Sequence, residues 1–119
     1  MKKILIIEDN PGNMELVSAV LEKEGYKILK ASEAMTGIRL ANKEKPDLIL
    51  MDIQLPVIDG LEAAHLLKEE EGTQNIKIVA LTALSGEKKK ILKYCDGYIS
   101  KPLNIDSFIE TIRSYLESC

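Results

Sequence analysis

Five short apolar runs alternate with five stretches whose apolar residues recur at helical spacing, and that alternation leaves few folds open. The runs are Lys3 to Ile7, Lys27 to Ala31, Leu48 to Met51, Ile76 to Leu81 and Gly97 to Ser100. Runs such as Ile4 to Ile7 and Ile78 to Leu81 are apolar throughout, which suits strands buried on both faces. Between them, Met14, Leu16, Val17, Val20 and Leu21 mark a first helix, opened near Pro11 and closed at Gly25. Ala34, Met35, Ile38, Leu40 and Ala41 mark a second, with Ser32 as its expected N-cap. Leu61, Ala64, Leu66 and Leu67 mark a third, capped by Asp59. A short, weakly patterned segment from about Gly86 to Lys93 is the fourth. Phe108, Ile109, Ile112, Tyr115 and Leu116 mark the fifth, after Asn104. Strands alternating with helices predict an α/β fold: a parallel sheet covered by helices on both faces, joined by right-handed crossovers.

The 119 residues suit one domain, 1–119, without a linker, repeat or low-complexity segment. A net charge of −3 argues against a general nucleic-acid-binding surface, so no direct nucleic-acid partner is expected. No run is long enough to span a bilayer, and the apolar start at Ile4 is cut short by Glu8-Asp9 before a signal peptide could form. A cytoplasmic location without membrane insertion is therefore expected. Met1-Lys2-Lys3 reads as a natural start and favours a complete chain. Cys95 and Cys119 lack metal-site spacing and read as a packed residue and a terminal thiol.

Polar groups collect where the runs stop. The first run ends on Glu8-Asp9, the third on Asp52, the fourth on Thr82 and the fifth on Ser100-Lys101-Pro102. Ligands of open α/β sheets bind at this carboxyl edge. Carboxylates held close repel one another unless a cation joins them, and Mg²⁺ prefers oxygen ligands of this type. A lysine adds a point charge suited to phosphate, and a hydroxyl adds a neutral donor. The combination fits phosphoryl transfer, in which an Asp carboxylate can itself be the nucleophile.

These motifs, in this order, resemble the response-regulator receiver domain of bacterial two-component systems, a CheY-like family. The resemblance rests on Ile-Ile-Glu8-Asp9-Asn10, Asp52-Ile-Gln-Leu-Pro56-Val-Ile-Asp-Gly60, Leu81-Thr82-Ala83 and Gly97-Tyr98-Ile-Ser-Lys101-Pro102, and runs from Lys3 to about Leu116. The Glu8-Asp9-Asn10 start, followed by Asn13 and Leu16, is similar to stand-alone receivers of the DivK type and to receivers attached to hybrid histidine kinases.

The resemblance implies a flavodoxin-like sheet of order 2-1-3-4-5. It implies that Asp52 accepts a phosphoryl group from a phosphohistidine on a histidine kinase or histidine phosphotransfer protein. Asp9 and Asp52 would ligate Mg²⁺ (or Mn²⁺ in its place), Gln54 through its backbone carbonyl, and Glu8 directly or through water. Lys101, Thr82 and the Ala83 amide would contact the phosphoryl oxygens, and Lys101-Pro102 would be a cis peptide. Pro56 and Gly60 would shape the loop after Asp52. Thr82 and Tyr98 would form a switch that changes the face of helix 4, strand 5 and helix 5 for an output protein. The chain would act as a monomer or weak dimer, and as an enzyme only on itself. From Thr82 to Lys101 it is about three residues shorter than in typical members, so a shortened fourth helix is expected.

Each residue alone has a plainer reading. A strand-end Asp or Thr is more often a cap, a lone lysine more often solvated, and Tyr98 could be a half-buried edge tyrosine. Lys88, Lys89, Lys90 and Lys93 read first as a solvated face, and His65 as a surface residue. Convergence on one edge is what favours a site. The alternative from another class is a Mg²⁺-dependent phosphatase or hydrolase with an aspartyl nucleophile. Such enzymes usually place an acid two residues after the nucleophile, where this chain has Gln54, which does no acid–base work.

Overall fold

The computed structural model describes residues 1–53, 60–82, 88–101 and 103–117. Five parallel strands form one sheet in the order β2-β1-β3-β4-β5. They are β1 (Lys3–Ile7), β2 (Lys27–Ala31), β3 (Leu48–Asp52), β4 (Lys77–Thr82) and β5 (Gly97–Ser100). The helices are α1 (Pro11–Lys23), α2 (Ala34–Glu44), α3 (Gly60–Glu69), α4 (Lys88–Tyr94) and α5 (Ile105–Glu117). β4 starts one residue later than its apolar run, because the Ile76 N–H is used in a turn, donating to Thr73 O at 3.0 Å. α4 is the shortest of the helices as described, and residues 83–87 before it, with Gly86, lie outside the described residues.

Strand periodicity sorts the core into two halves. Leu5, Ile7, Ile49, Met51, Ile78 and Ala80 pack with Ala34, Ile38 and Ala41 of α2, Leu61, Ala64 and Leu67 of α3, and Ile91 of α4. Their strand neighbours Ile4, Ile6, Leu48, Leu50, Val79 and Leu81 face Val17 and Leu21 of α1 and Phe108, Ile112 and Leu116 of α5. Burial of each of the Val, Leu, Ile, Met and Phe side chains stabilises the fold by about 1.5–3 kcal/mol. Cys95 belongs to the first half, and burial pushes its thiol up to about 12, which leaves it unreactive.

Helix starts follow local chemistry. Asn10 caps α1, its side chain accepting from the Asn13 N–H at 2.9 Å, with Pro11 in the first turn. Asn104 accepts from the Ser107 N–H at 3.1 Å at the head of α5. Ser32 does not cap α2. Glu33 holds the N-cap position in extended backbone, without a side-chain hydrogen bond. Asp59, expected to cap α3, lies outside the described residues, as does Cys119.

Candidate functional site

Register fixes where the strand ends meet. Ile7 pairs with Met51, Asp52 with Leu81, and Thr82 with Ser100, so four strands finish on one edge. The ladder continues past β5, where the Lys101 N–H donates to Thr82 O at 2.7 Å. Behind Asp52, Gly60 opens α3 against the end of β3, its N–H donating to Ile53 O at 3.0 Å. A Cβ on Gly60 would stand 2.5 Å from Asp52 O, so only glycine lets α3 come this close.

At this edge the Lys101 Nζ lies 3.3 Å from Asp52 Oδ2 and 3.7 Å from Glu8 Oε1. Glu8, Asp9 and Asp52 each offer a carboxylate oxygen within 4.8 Å of the others. Glu8, Asp52 and Thr82 are buried and Asp9 is exposed, so the cluster opens to solvent on one side. Among the described residues, neither Glu8 oxygen has a hydrogen bond of good geometry. Burial, and after it the neighbouring Asp52 carboxylate, push the Glu8 carboxyl up to about 7, against the smaller opposing pull of Asn13 and Lys101. Buried, unsatisfied carboxylate oxygens beside a second and third carboxylate are the donor set that a hard divalent cation needs, so the residues present fit Mg²⁺.

Beside the cluster lies a cavity of about 440 Å³ lined by Glu8, Asn13, Leu16, Val17, Leu81, Lys101 and Leu103. Four of these residues are apolar, and Glu8, Asn13 and Lys101 are polar or charged. Leu16, which the helical pattern places among the core residues of α1, is 49% exposed and forms part of this wall. The cavity is a feature that the sequence motifs do not reveal, because α1 and the segment after β5 meet only in the folded chain.

The structure therefore brings Glu8, Asp9, Asp52, Thr82 and Lys101 to one edge. Tyr98 lies in β5 opposite Ala80, half-buried against the α2–α3–α4 side of the core. Gln54, Pro56, Ala83 and Pro102 fall outside the described residues, and so do the expected carbonyl ligand, amide donor and cis peptide. His65 is half-exposed on α3 and pairs with Glu69 at 2.8 Å, as a surface histidine would.

Fold and site together define a doubly wound α/β protein whose sheet edge carries three clustered carboxylates and one lysine. The family model described as response regulator receiver domain matches residues 4–113. The polar-differentiation response regulator DivK of Brucella ovis is 42% identical over 118 residues, covering 97% of this chain and 96% of the relative. The receiver domain of the sensor histidine kinase PA1611 from Pseudomonas aeruginosa PAO1, solved with a magnesium ion coordinated in its active-site cleft, is similar in structure. Its TM-score is 0.90 at 30% identity, with 98% of each chain covered. A Saccharomyces cerevisiae co-crystal of the histidine phosphotransfer protein Ypd1 and the receiver domain of Ssk1 matches with a TM-score of 0.88 at 29% identity, covering 96% of this chain and 88% of that one. The chain belongs to the response regulator receiver domain family of two-component signalling. Nothing in these relatives supports a phosphatase.

Proposed function

We propose that the chain, as a single receiver domain over residues 1–119, takes a phosphoryl group from a partner phosphohistidine onto Asp52. The observation that carries this reading is the Lys101 ammonium held between Asp52 and Glu8, beside the three-carboxylate cluster. An Asp52 oxygen attacks phosphorus, the P–N bond breaks, and the imidazole leaves with the bonding electron pair. Bound Mg²⁺, or Mn²⁺ in its place, would neutralise charge on the phosphoryl oxygens. Asp9 and Asp52 would hold it, with Glu8 directly or through water. Lys101 pairs with a phosphoryl oxygen and Thr82 donates to another. The resemblance assigns Gln54, Ala83 and the Lys101-Pro102 peptide their parts. The domain catalyses only its own phosphorylation and dephosphorylation.

The donor is a histidine kinase or a histidine phosphotransfer protein, the class of partner seen with the Ssk1 receiver. The apolar cavity walled by Leu16 and Leu103 beside Lys101 would take an apolar side chain of that donor. The phosphoryl group adds about 1.5–2 negative charges. Thr82 would then move toward it and Tyr98 turn inward, changing the α4–β5–α5 face for an output protein. We place this activity in the cytoplasm, in a monomer or weak dimer. Among the described residues, no helix is long and apolar enough to cross a membrane.

Incubation with acetyl phosphate, with and without Mg²⁺, followed by intact mass, tests the assignment. One added phosphoryl group that requires Mg²⁺ and is absent from Asp52→Asn is the expected result. A group on His65 or on a serine would refute it. For the switch, Tyr98→Ala should erase the difference in output-partner affinity between phosphorylated and unphosphorylated protein.

A further inference from the structure

The cavity beside the carboxylate cluster is built from two kinds of residue. Lys101 and Glu8 belong both to the cavity and to the cluster: the ammonium that stands 3.3 Å from Asp52 Oδ2 is part of the cavity lining, and so is the Glu8 side chain. A molecule whose phosphorus sits at Asp52 therefore has this space as its neighbour. The apolar lining is drawn from three segments. Leu16 and Val17 come from α1, Leu81 from the end of β4, and Leu103 from the stretch after β5. Val17 and Leu81 are almost fully buried while Leu16 is 49% exposed, so the apolar surface runs from solvent inward.

Small-molecule sites are mostly apolar hollows of roughly 300–1,000 Å³ with a few polar groups that set orientation. At about 440 Å³, with four apolar side chains and Lys101 in its lining, this cavity is of that type. The occupant it fits has an anionic head for Lys101 and a short apolar chain for the leucines. An acyl phosphate is such a molecule, and it also carries a phosphoryl group that Asp52 can accept.

We infer that Leu16, Val17, Leu81 and Leu103 form an acyl pocket, through which the domain takes phosphoryl groups from small acyl phosphates and prefers an apolar chain longer than acetyl, as in butyryl phosphate. This rests on Asp52 being the acceptor. An Asp52 oxygen attacks phosphorus, the P–O bond to the acyl group breaks, and the carboxylate leaves with the bonding electron pair. No proton, oxidant or further reactant is needed. Butyrate and acetate are nearly equal leaving groups, because the added methylenes scarcely alter the basicity of a carboxylate. A difference in rate between the two donors therefore reports contact with the pocket. Burying the added methylenes against the leucines should raise kcat/KM about tenfold. The gain belongs mainly in KM, since the chain touches the same walls before and during transfer.

Initial rates of Asp52 phosphorylation by acetyl and butyryl phosphate test this, read by intact mass over a range of donor concentrations at saturating MgCl₂. Butyryl phosphate should be favoured about tenfold in the parent chain, and about twofold or less in Leu16→Asn and in Leu103→Asn, which place an amide in the apolar wall. Leu16 is half-exposed, so Leu16→Asn should fold as the parent does. The ratio of the two donors is taken on one sample, so any unfolded fraction cancels from it. No preference in the parent, or a ratio unchanged in both variants, would overturn the inference while acetyl phosphate still labels Asp52. If neither donor labels Asp52, the acceptor reading falls, and this inference falls with it.

Discussion

Lys101 Nζ stands 3.3 Å from Asp52 Oδ2 and 3.7 Å from Glu8 Oε1, so a single ammonium group bridges the ends of two neighbouring strands. It occupies the place where a cation is wanted, and it is also the group that can follow a transferred phosphoryl oxygen. Those two duties oppose each other in a variant. Lys101→Met should slow phosphoryl uptake about 100-fold, the usual scale for losing one preorganised charge partner. The same variant should bind Mg²⁺ more tightly, because a competing positive charge has gone. Rates from intact mass and affinities from calorimetry, moving in opposite directions, would bear this out. A parallel loss of both would contradict it.

Acidity should stabilise the metal-free protein. Glu8 has its carboxyl raised from 4.5 to about 7 in the fold, so the folded chain binds this proton more tightly than the unfolded chain. Between those two values stability falls as pH rises. In metal-free buffer the Tm should be higher at about pH 5.5 than at about pH 7.5, by roughly 3–6 °C. Mg²⁺ at about 10 mM should shrink that difference, since it binds the deprotonated carboxylate and stabilises most at the higher pH. Differential scanning calorimetry reads both effects, and a metal-free Tm that climbs over this range would be the wrong sign.

Gly60→Ala should harm stability and chemistry together. The new methyl would meet backbone, at 2.5 Å from Asp52 O and 2.5 Å from the Ile53 Cα, and backbone cannot rotate aside. Overpacking of this kind costs about 1–3 kcal/mol. The strand end that moves is the one that carries Asp52, the proposed acceptor, so phosphoryl uptake should drop about tenfold or more from misplacement alone. Urea denaturation and the acetyl phosphate assay measure the two parts.

Gly97→Ala should also destabilise, for a reason remote from the chemistry. The Tyr115 hydroxyl occupies the space where a Cβ on Gly97 would lie. We expect a loss of about 1–3 kcal/mol in urea denaturation, with much of it recovered in Gly97→Ala/Tyr115→Leu. A double variant whose losses simply add would mean that the two residues are not in conflict.

Strand positions were legible in the sequence because a two-sided sheet needs unbroken apolar runs. Lys27–Ala31 and Gly97–Ser100 coincide with β2 and β5. The site was legible for the same reason, since Glu8, Asp9, Asp52, Thr82 and Lys101 are the residues on which those runs stop. What escaped depends on approach between distant segments. Leu16 has helical spacing like a core residue, yet only the placing of α1 beside Leu103 turns it into a cavity wall. The fit of Tyr115 over Gly97 joins residues in strand and helix that no local pattern links. Ser32 had the chemistry of a cap, but the chain enters α2 at Glu33.

The division of the core by strand parity has a practical outcome. Leu16, in the wall of the cavity, belongs to the α1 side, whereas Tyr98 packs toward α3 and α4. A protein seated over the cavity therefore leaves the opposite flank of the sheet uncovered. On the proposed reading, a donor seated there would approach from the α1 side while Tyr98 would turn on the other side of β5, and α5, common to the cavity side of the core and to the output face, is where the two events would meet.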